Sequence, residues 1–180
     1  MAVLKIARMG HPVLLAKAAM VPDPAAPEIQ RLLADMAETL EDAGGVGLAA
    51  PQVHVPMRLF IYHVPAERAD GVEIPLTAVV NPVITPLEDR KVLGWEGCLS
   101  IPGLRAAVPR FHRIRLTGID AAGQKIDQEL TGFAARVVQH ETDHLDGILY
   151  PMRMNDFRYF GFNEETARYP LALPQQEEPL

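Results

Sequence analysis

The segment His140-Glu141-Thr142-Asp143-His144 sets two imidazoles and a carboxylate where they can act together. Residues i and i+4 are neighbours on one face of a helix, so His140 and His144 can each offer a ring nitrogen to one ion. Glu141, beside the first histidine, is placed to serve a water on that ion as general base. The chemistry implied is a metal-activated water attacking a carbonyl. The plainer alternative is a surface helix that carries two histidines.

The flanking residues argue against a surface helix. Phe133 to Gly147 read as one helix, with Phe133, Val137, His140 and His144 on one stripe and Ala134, Val138 and Leu145 on a second. Two apolar stripes imply burial on most sides, and inward-facing imidazoles then need partners. Thr131 is placed to cap the start of this helix and Gly147 its end.

A catalytic ion with one open position needs a third protein ligand. Cys98, the only cysteine, lies in Glu96-Gly97-Cys98-Leu99-Ser100, between Gly94-Trp95 and Ile101-Pro102-Gly103, a loop-like setting. A lone cysteine is most often a small buried hydrophobe. The rival ligand is Glu164 or Glu165, beyond His144 in the manner of two-histidine, one-glutamate proteases. Spacing alone leaves both sets open.

A third segment, Gly44-Gly45-Val46-Gly47-Leu48-Ala49-Ala50-Pro51-Gln52, follows a helical pattern. By itself it reads as a helix end and a turn into a strand. Taken with the Cys98 and His140 segments, it makes the chain resemble the peptide deformylase family, which carries Gly-x-Gly-x-Ala-Ala-x-Gln, Glu-Gly-Cys-Leu-Ser and Gln-His-Glu-x-Asp-His-Leu in this order. All three stand intact here. Looser similarity runs from Ile6 to about Tyr150.

The resemblance implies roles. Cys98, His140 and His144 would hold one divalent metal ion. Glu141 would move the proton, and Gln52 with the backbone N–H of Leu99 would face the developing oxyanion. The substrate would be an N-formyl-methionyl nascent chain, losing its formyl group as formate. Its backbone would lie as an added strand near Val46, Gly47 and Gly97. Its methionine side chain would enter a pocket lined by Val46, Phe133, Val137 and His140. Glu96 would pair with Arg105 or Arg110, if the charges are not simply solvated, and Asp143 would support the site from behind. A thiolate with two imidazoles suits zinc or iron(II). The family works with iron(II), and nickel or cobalt can replace it. Two other readings stand beside this one: a metallopeptidase with Glu164 as ligand, and a non-catalytic binding relative.

The elements that must position these residues read as α+β: a central metal-binding helix among antiparallel sheets, with an N-terminal helix packed outside. That N-terminal helix opens at Asp23-Pro24 and Pro27 and turns Ile29, Leu32, Leu33, Met36 and Leu40 inward. Strands are expected over Leu59–Tyr62, over Leu76–Ile84 with a break at Asn81-Pro82, and over Arg113–Thr117 and Lys125–Leu130 around a turn at Asp120–Gly123. One catalytic domain is expected over residues 1–169, followed by a loosely held tail over 170–180. Some family members end in a basic helix that docks on the ribosome. Here an aromatic stretch, Phe157, Tyr159, Phe160 and Phe162, is expected to pack back on the body, and an acidic tail follows, so transient ribosome association would need another mode. His11, His54, His63 and His112 read as structural or surface residues.

Composition fits. A net charge of −6 argues against broad nucleic-acid binding. A single cysteine suits a reducing compartment. No apolar run is long enough to span a bilayer, and Met1 to Ile6 is too short for a signal peptide. The expectation is a monomer of the bacterial cytoplasm, or a mature organellar form, with no membrane partner.

Overall fold

Helix α1 (Pro27–Ala43) begins with a proline in its first turn, where the missing N–H costs nothing. Asp23 accepts a hydrogen bond from Ala25 N at 2.9 Å and shapes the turn that leads in. Gly44, at φ 64, ends the helix and turns the chain toward strand β1 (Gly47–Ala49). The computed structural model describes residues 2–68 and 71–174. The remaining strands are β2 (Leu59–Val64), β3 (Ile74–Pro86), β4 (Lys91–Cys98), β5 (Ile101–Phe111), β6 (Arg113–Ile119), β7 (Lys125–Thr131) and β8 (Phe160–Phe162). Helix α2 (Gly132–Leu145) carries the histidines, and the short α3 (Asn163–Arg168) follows β8.

The strands form two antiparallel sheets, one in the order β1-β2-β3-β6-β7 and one in the order β4-β5-β8. Strand β2 explains the layering. Its Phe60, Tyr62 and Val64 pack with Ala134, Val137, Val138 and Leu145 of α2. Its Leu59 and Ile61 pack on the other face with Ile29, Leu33, Met36 and Leu40 of α1. The five-stranded sheet therefore separates the two helices, which is why β2 is apolar at successive positions rather than at alternate ones. Each such side chain stabilises the fold by roughly 1.5–3 kcal/mol. A third cluster, with Leu14, Ile101, Val108, Leu149 and Tyr150, seats the smaller sheet near the end of α2.

The α+β reading holds, with α2 central and α1 outside. Leu32 is half-buried, while Leu33, Met36 and Leu40 are buried as expected. The break at Asn81-Pro82 is a bulge: the β3–β6 register slips between Val80 and Val83. Asn81 sits at φ 52, and its amide bonds both the N–H and the C=O of Val21 at 2.9 Å. The Asp120 carboxylate organises the β6–β7 turn by accepting from Ala122 N and Gln124 N, each at 2.8 Å.

Three expectations need correction. Thr131 occupies the position before α2, but its side chain makes no capping bond. The setting of Cys98 is not a loop but the end of β4, in a hairpin with β5. Periodicity misses that hairpin because Gly94, Gly97, Gly103 and Pro109 interrupt it. The aromatic stretch is split. Phe160 packs inward and Tyr159 meets Trp95 edge-on, whereas Phe157 and Phe162 are 75 % and 57 % exposed. The tail expected over 170–180 carries no regular element over 171–174, and its last six residues lie outside the described part.

The end of α2 is a Schellman turn. Ile148 N donates to Asp143 O at 2.9 Å and Gly147 N to His144 O at 3.4 Å, with Gly147 at φ 73. A Cβ on Gly147 would stand 2.6 Å from Leu15 O, which is backbone and cannot swing aside. We predict that Gly147→Ala lowers stability by at least about 1–2 kcal/mol, from the left-handed backbone alone. Thermal unfolding measures this, and an unchanged midpoint would refute the packing argument.

Candidate active site

Two features of α2 aim its polar residues inward. The helix is wrapped by β1, β2, β5, β6 and β7, so His140, Glu141, Asp143 and His144 are all buried. The β4–β5 hairpin then brings Cys98 over the same turn. The Cys98 sulfur lies 3.3 Å from His144 Nε2, and the donor atoms of Cys98, His140 and His144 fall within 4.8 Å of one another. The sequence left Cys98 and Glu164 or Glu165 open as third ligand. The fold gathers Cys98, while both glutamates lie exposed on α3.

Two of the donors, His140 and Cys98, are oriented from outside the cluster. Glu96 Oε2 takes His140 Nδ1 at 2.9 Å, which leaves the other ring nitrogen for the site. Ser100 N donates to the Cys98 sulfur at 3.4 Å. Glu96 itself is held by Arg110 through two bonds (Nε–Oε1 2.9 Å, Nη2–Oε2 3.0 Å) and by Arg136 (Nη1–Oε1 2.8 Å). Of the two partners left open for Glu96, the structure selects Arg110. Arg105 lies over the Trp95 ring instead. Arg110 continues to Asp143 at 2.5 Å, and Asp143 is also held by Arg153 at 2.7 Å.

Burial and neighbouring charge compete at these groups. Burial alone would raise the Cys98 thiol, but the two imidazoles outweigh it and hold the thiol well below its ordinary value. Burial would lower His140, yet Cys98 and Glu96 lift it well above the usual imidazole range. Burial likewise opposes ionisation of Glu96, and His140 with Arg110 more than reverse that. The sulfur and its surrounding carboxylate thus favour positive charge among the donors. A bound cation satisfies the same demand with both imidazoles neutral. With a soft sulfur and two ring nitrogens clustered and partly open, the residues fit a single metal ion.

Glu141 is different. It is buried, its Oε2 has no partner among the described residues, and burial pushes its carboxyl up to about 7. A cation at the donors would push it back down. Gly47 leaves the space it occupies, since a Cβ there would collide with Glu141 Oε1. Across the site, Gln52 Oε1 accepts from Ala49 N at 2.9 Å, which turns its NH₂ toward Ser100 Oγ (3.1 Å) and the Cys98 sulfur (3.5 Å).

These groups lie along a cavity of about 410 Å³. Val46, Gly47, Gln52, Gly97, Leu99, Phe133, Val137, His140 and Glu141, all singled out from the sequence, line it. It runs between β1 and β4, each at the edge of its sheet. Sequence reasoning missed Arg136. Its guanidinium crosses Gly94, where a Cβ would lie 2.7 Å from Nη2, and donates to Val92 O, Gly94 O and Val108 O. An arginine one turn before His140 on a buried helix was the available signal, because a buried cation demands acceptors. Also unforeseen were Tyr150, stacked on His140 at 6.1 Å, and Arg68 at the cavity mouth. Among the other histidines, His63 bonds Gly45 O at 3.0 Å and supports the glycine segment, and His112 meets Glu88 at 3.2 Å.

An α+β fold whose central helix supplies two of three clustered donors suited to a metal ion, with a buried carboxylate beside them in a cleft between two sheet edges, defines a class. Its donor set is consistent with a single metal ion. The family model for polypeptide deformylase matches residues 3–159. Peptide deformylase 1 of Nitrosomonas europaea is 50 % identical over 162 residues, covering 88 % of this chain and 92 % of its own. Peptide deformylase 1 of Bordetella pertussis is 51 % identical over 161 residues, with the same coverage. The Met-Ala-Ser-bound class I type b peptide deformylase of Acinetobacter baumannii superposes with TM-score 0.78 at 35 % identity, over 84 % of this chain and 98 % of that one. The chain belongs to the polypeptide deformylase family, hydrolases of protein biosynthesis. Among the described residues no helix is long and apolar enough to cross a membrane.

Proposed function

We propose that this enzyme removes the formyl group from N-formyl-methionyl chain ends, with one metal ion held by Cys98, His140 and His144. The observation that carries the reading is the convergence of those three donors beside the unpaired Glu141 carboxylate. The Met-Ala-Ser bound to the Acinetobacter relative supports the substrate class. When bound, the ion would act as a Lewis acid and lower the pKa of water.

The chain's own residues do the rest. Glu141 accepts a proton from the attacking water and delivers it to the departing amine. The water oxygen bonds the formyl carbon, the C–N bond breaks, and formate leaves with a free methionyl amine. The Gln52 amide and Leu99 N–H face the carbonyl oxygen as charge builds there. The free edge of β1 takes the peptide backbone as an added strand near Val46, Gly47 and Gly97. Val46, Phe133 and Val137 receive the methionine side chain, an unbranched and polarisable fit.

Iron(II) is the ion proposed for the cell, with zinc, nickel or cobalt able to occupy the site. The same reading makes residues 1–169 one catalytic unit, monomeric in the bacterial cytoplasm and meeting nascent chains at the ribosome. The metallopeptidase alternative loses its ligand, because Glu164 is exposed and outside the donor group.

The test is formate release from formyl-Met-Ala-Ser by protein prepared without air, with metal analysis of the same sample. Formate should appear in proportion to bound metal, and none from metal-loaded protein would end the reading. A further prediction concerns the sulfur. Cys98→Ser should weaken metal binding, because an alcohol stays protonated where the thiol does not. The iron form should lose activity in air while the nickel form persists. Cys98 alkylated freely while metal stays bound would remove it from the ligand set.

A further inference from the structure

Arg68 stands at the mouth of the cleft, in the connection between β2 and β3. Its guanidinium lies over the Phe133 ring, Cζ 3.5 Å from the centroid, and it lines the same cavity as Val46, Phe133 and Val137. The contact with the ring face holds the cation in place without consuming its N–H donors. Partial burial alone shifts it, downward, and among the described residues no carboxylate pairs with it. The two carboxylates that line the cavity are engaged deeper in. Glu96 takes Arg110, Arg136 and His140, and Glu141 stands over the metal donors. Among the described residues that line it, the outer cleft therefore presents a cation with unused donors and no carboxylate paired to it.

Strand geometry says which part of an incoming chain meets it. Successive side chains of an extended peptide point to opposite faces, so the first and third residues share a face, about 6.5–7 Å apart. With the methionine side chain among Val46, Phe133 and Val137, the third side chain emerges on that face one step further out. There the rim is built by Phe133 and Arg68. The second side chain points away.

We propose that Arg68 is a specificity-determining residue that reads charge at the third position of the incoming chain and favours Asp or Glu there. The inference rests on the deformylase reading above and deepens it.

The experiment measures kcat/KM for formyl-Met-Ala-X-Ala amides with X as Asp, Ser or Lys. Formyl-Met-Asp-Ala-Ala amide and formyl-Met-Lys-Ala-Ala amide serve as positional controls. The terminal amide removes a competing carboxylate. The metal-loaded parent should prefer Asp over Lys at the third position by roughly three- to tenfold, the range for a partly solvated ion pair gained against a repulsion. The difference should sit in KM and shrink in high salt. The second position should show less than about a twofold difference. Arg68→Ala should level the third-position preference, Arg68→Lys should keep it and Arg68→Glu should invert it. Inversion is a result that a merely structural role for Arg68 cannot produce. An active parent indifferent to charge at the third position would overturn the proposal. So would a preference that appears at the second position, or one that survives Arg68→Ala. Absence of formate from every peptide would overturn it through the deformylase reading itself.

Discussion

Replacing Glu141 with Ala or Gln is expected to cut kcat by ~10²–10⁴-fold, the usual worth of a positioned proton-transfer group, while metal stays bound. Glu141 lies beside a donor histidine but outside the Cys98, His140, His144 group, so its loss removes no ligand. The same substitution should leave the metal-free protein as stable as the parent or more so. A carboxylate that is buried with one oxygen unpartnered among the described residues is costly in the folded state. The paired outcome, lost turnover with undiminished stability, separates a working base from a structural carboxylate. Near-parent kcat in metal-loaded Glu141→Gln would take the residue out of the mechanism. A large fall in the melting temperature of the metal-free variant would make it structural.

Local chemistry was readable in the sequence where one element holds all the parts. His140, Glu141 and His144 share a helix, so a spacing of four already places them together. The Asn81-Pro82 bulge and the Asp120–Gly123 turn were readable for the same reason, since their physics is contained in a few consecutive residues. The residues that resisted act across the fold. Cys98 reaches the histidines only because β4 and β5 form a hairpin, and that hairpin's glycines and proline hide its alternation. Those glycines are themselves site features. Gly94 makes way for Arg136, as Gly47 makes way for Glu141. Periodicity registers such positions as breaks, whereas the structure shows them as clearance for a neighbouring side chain. Arg68 offered no signal at all, because its partner Phe133 is remote in sequence.

The second large effect is expected at Glu96. Its carboxylate, buried between β4 and α2, takes bonds from Arg110, Arg136 and His140. Removing it leaves Arg110 with Asp143 alone and Arg136 with backbone carbonyls alone. One buried guanidinium would then keep a carboxylate that Arg153 also occupies, and the other would have none. Breaking a buried ion cluster by deleting one member costs about 3–5 kcal/mol. For a domain of this size each kcal/mol is worth roughly 2–4 °C, so Glu96→Ala should melt on the order of 10 °C below the parent. Glu96→Gln keeps the shape and some of the hydrogen bonds but not the charge, so it should lose less stability. It should still bind metal about 10–100-fold more weakly, the cost found when the partner that orients a ligand histidine is altered. Thermal unfolding of the metal-free proteins and competitive metal titration measure the two effects separately. A Glu96→Ala protein that melts with the parent would mean that the arginines find other acceptors. A Glu96→Gln protein with parent metal affinity would mean that His140 holds its orientation without the carboxylate, and that the ion cluster serves the fold alone.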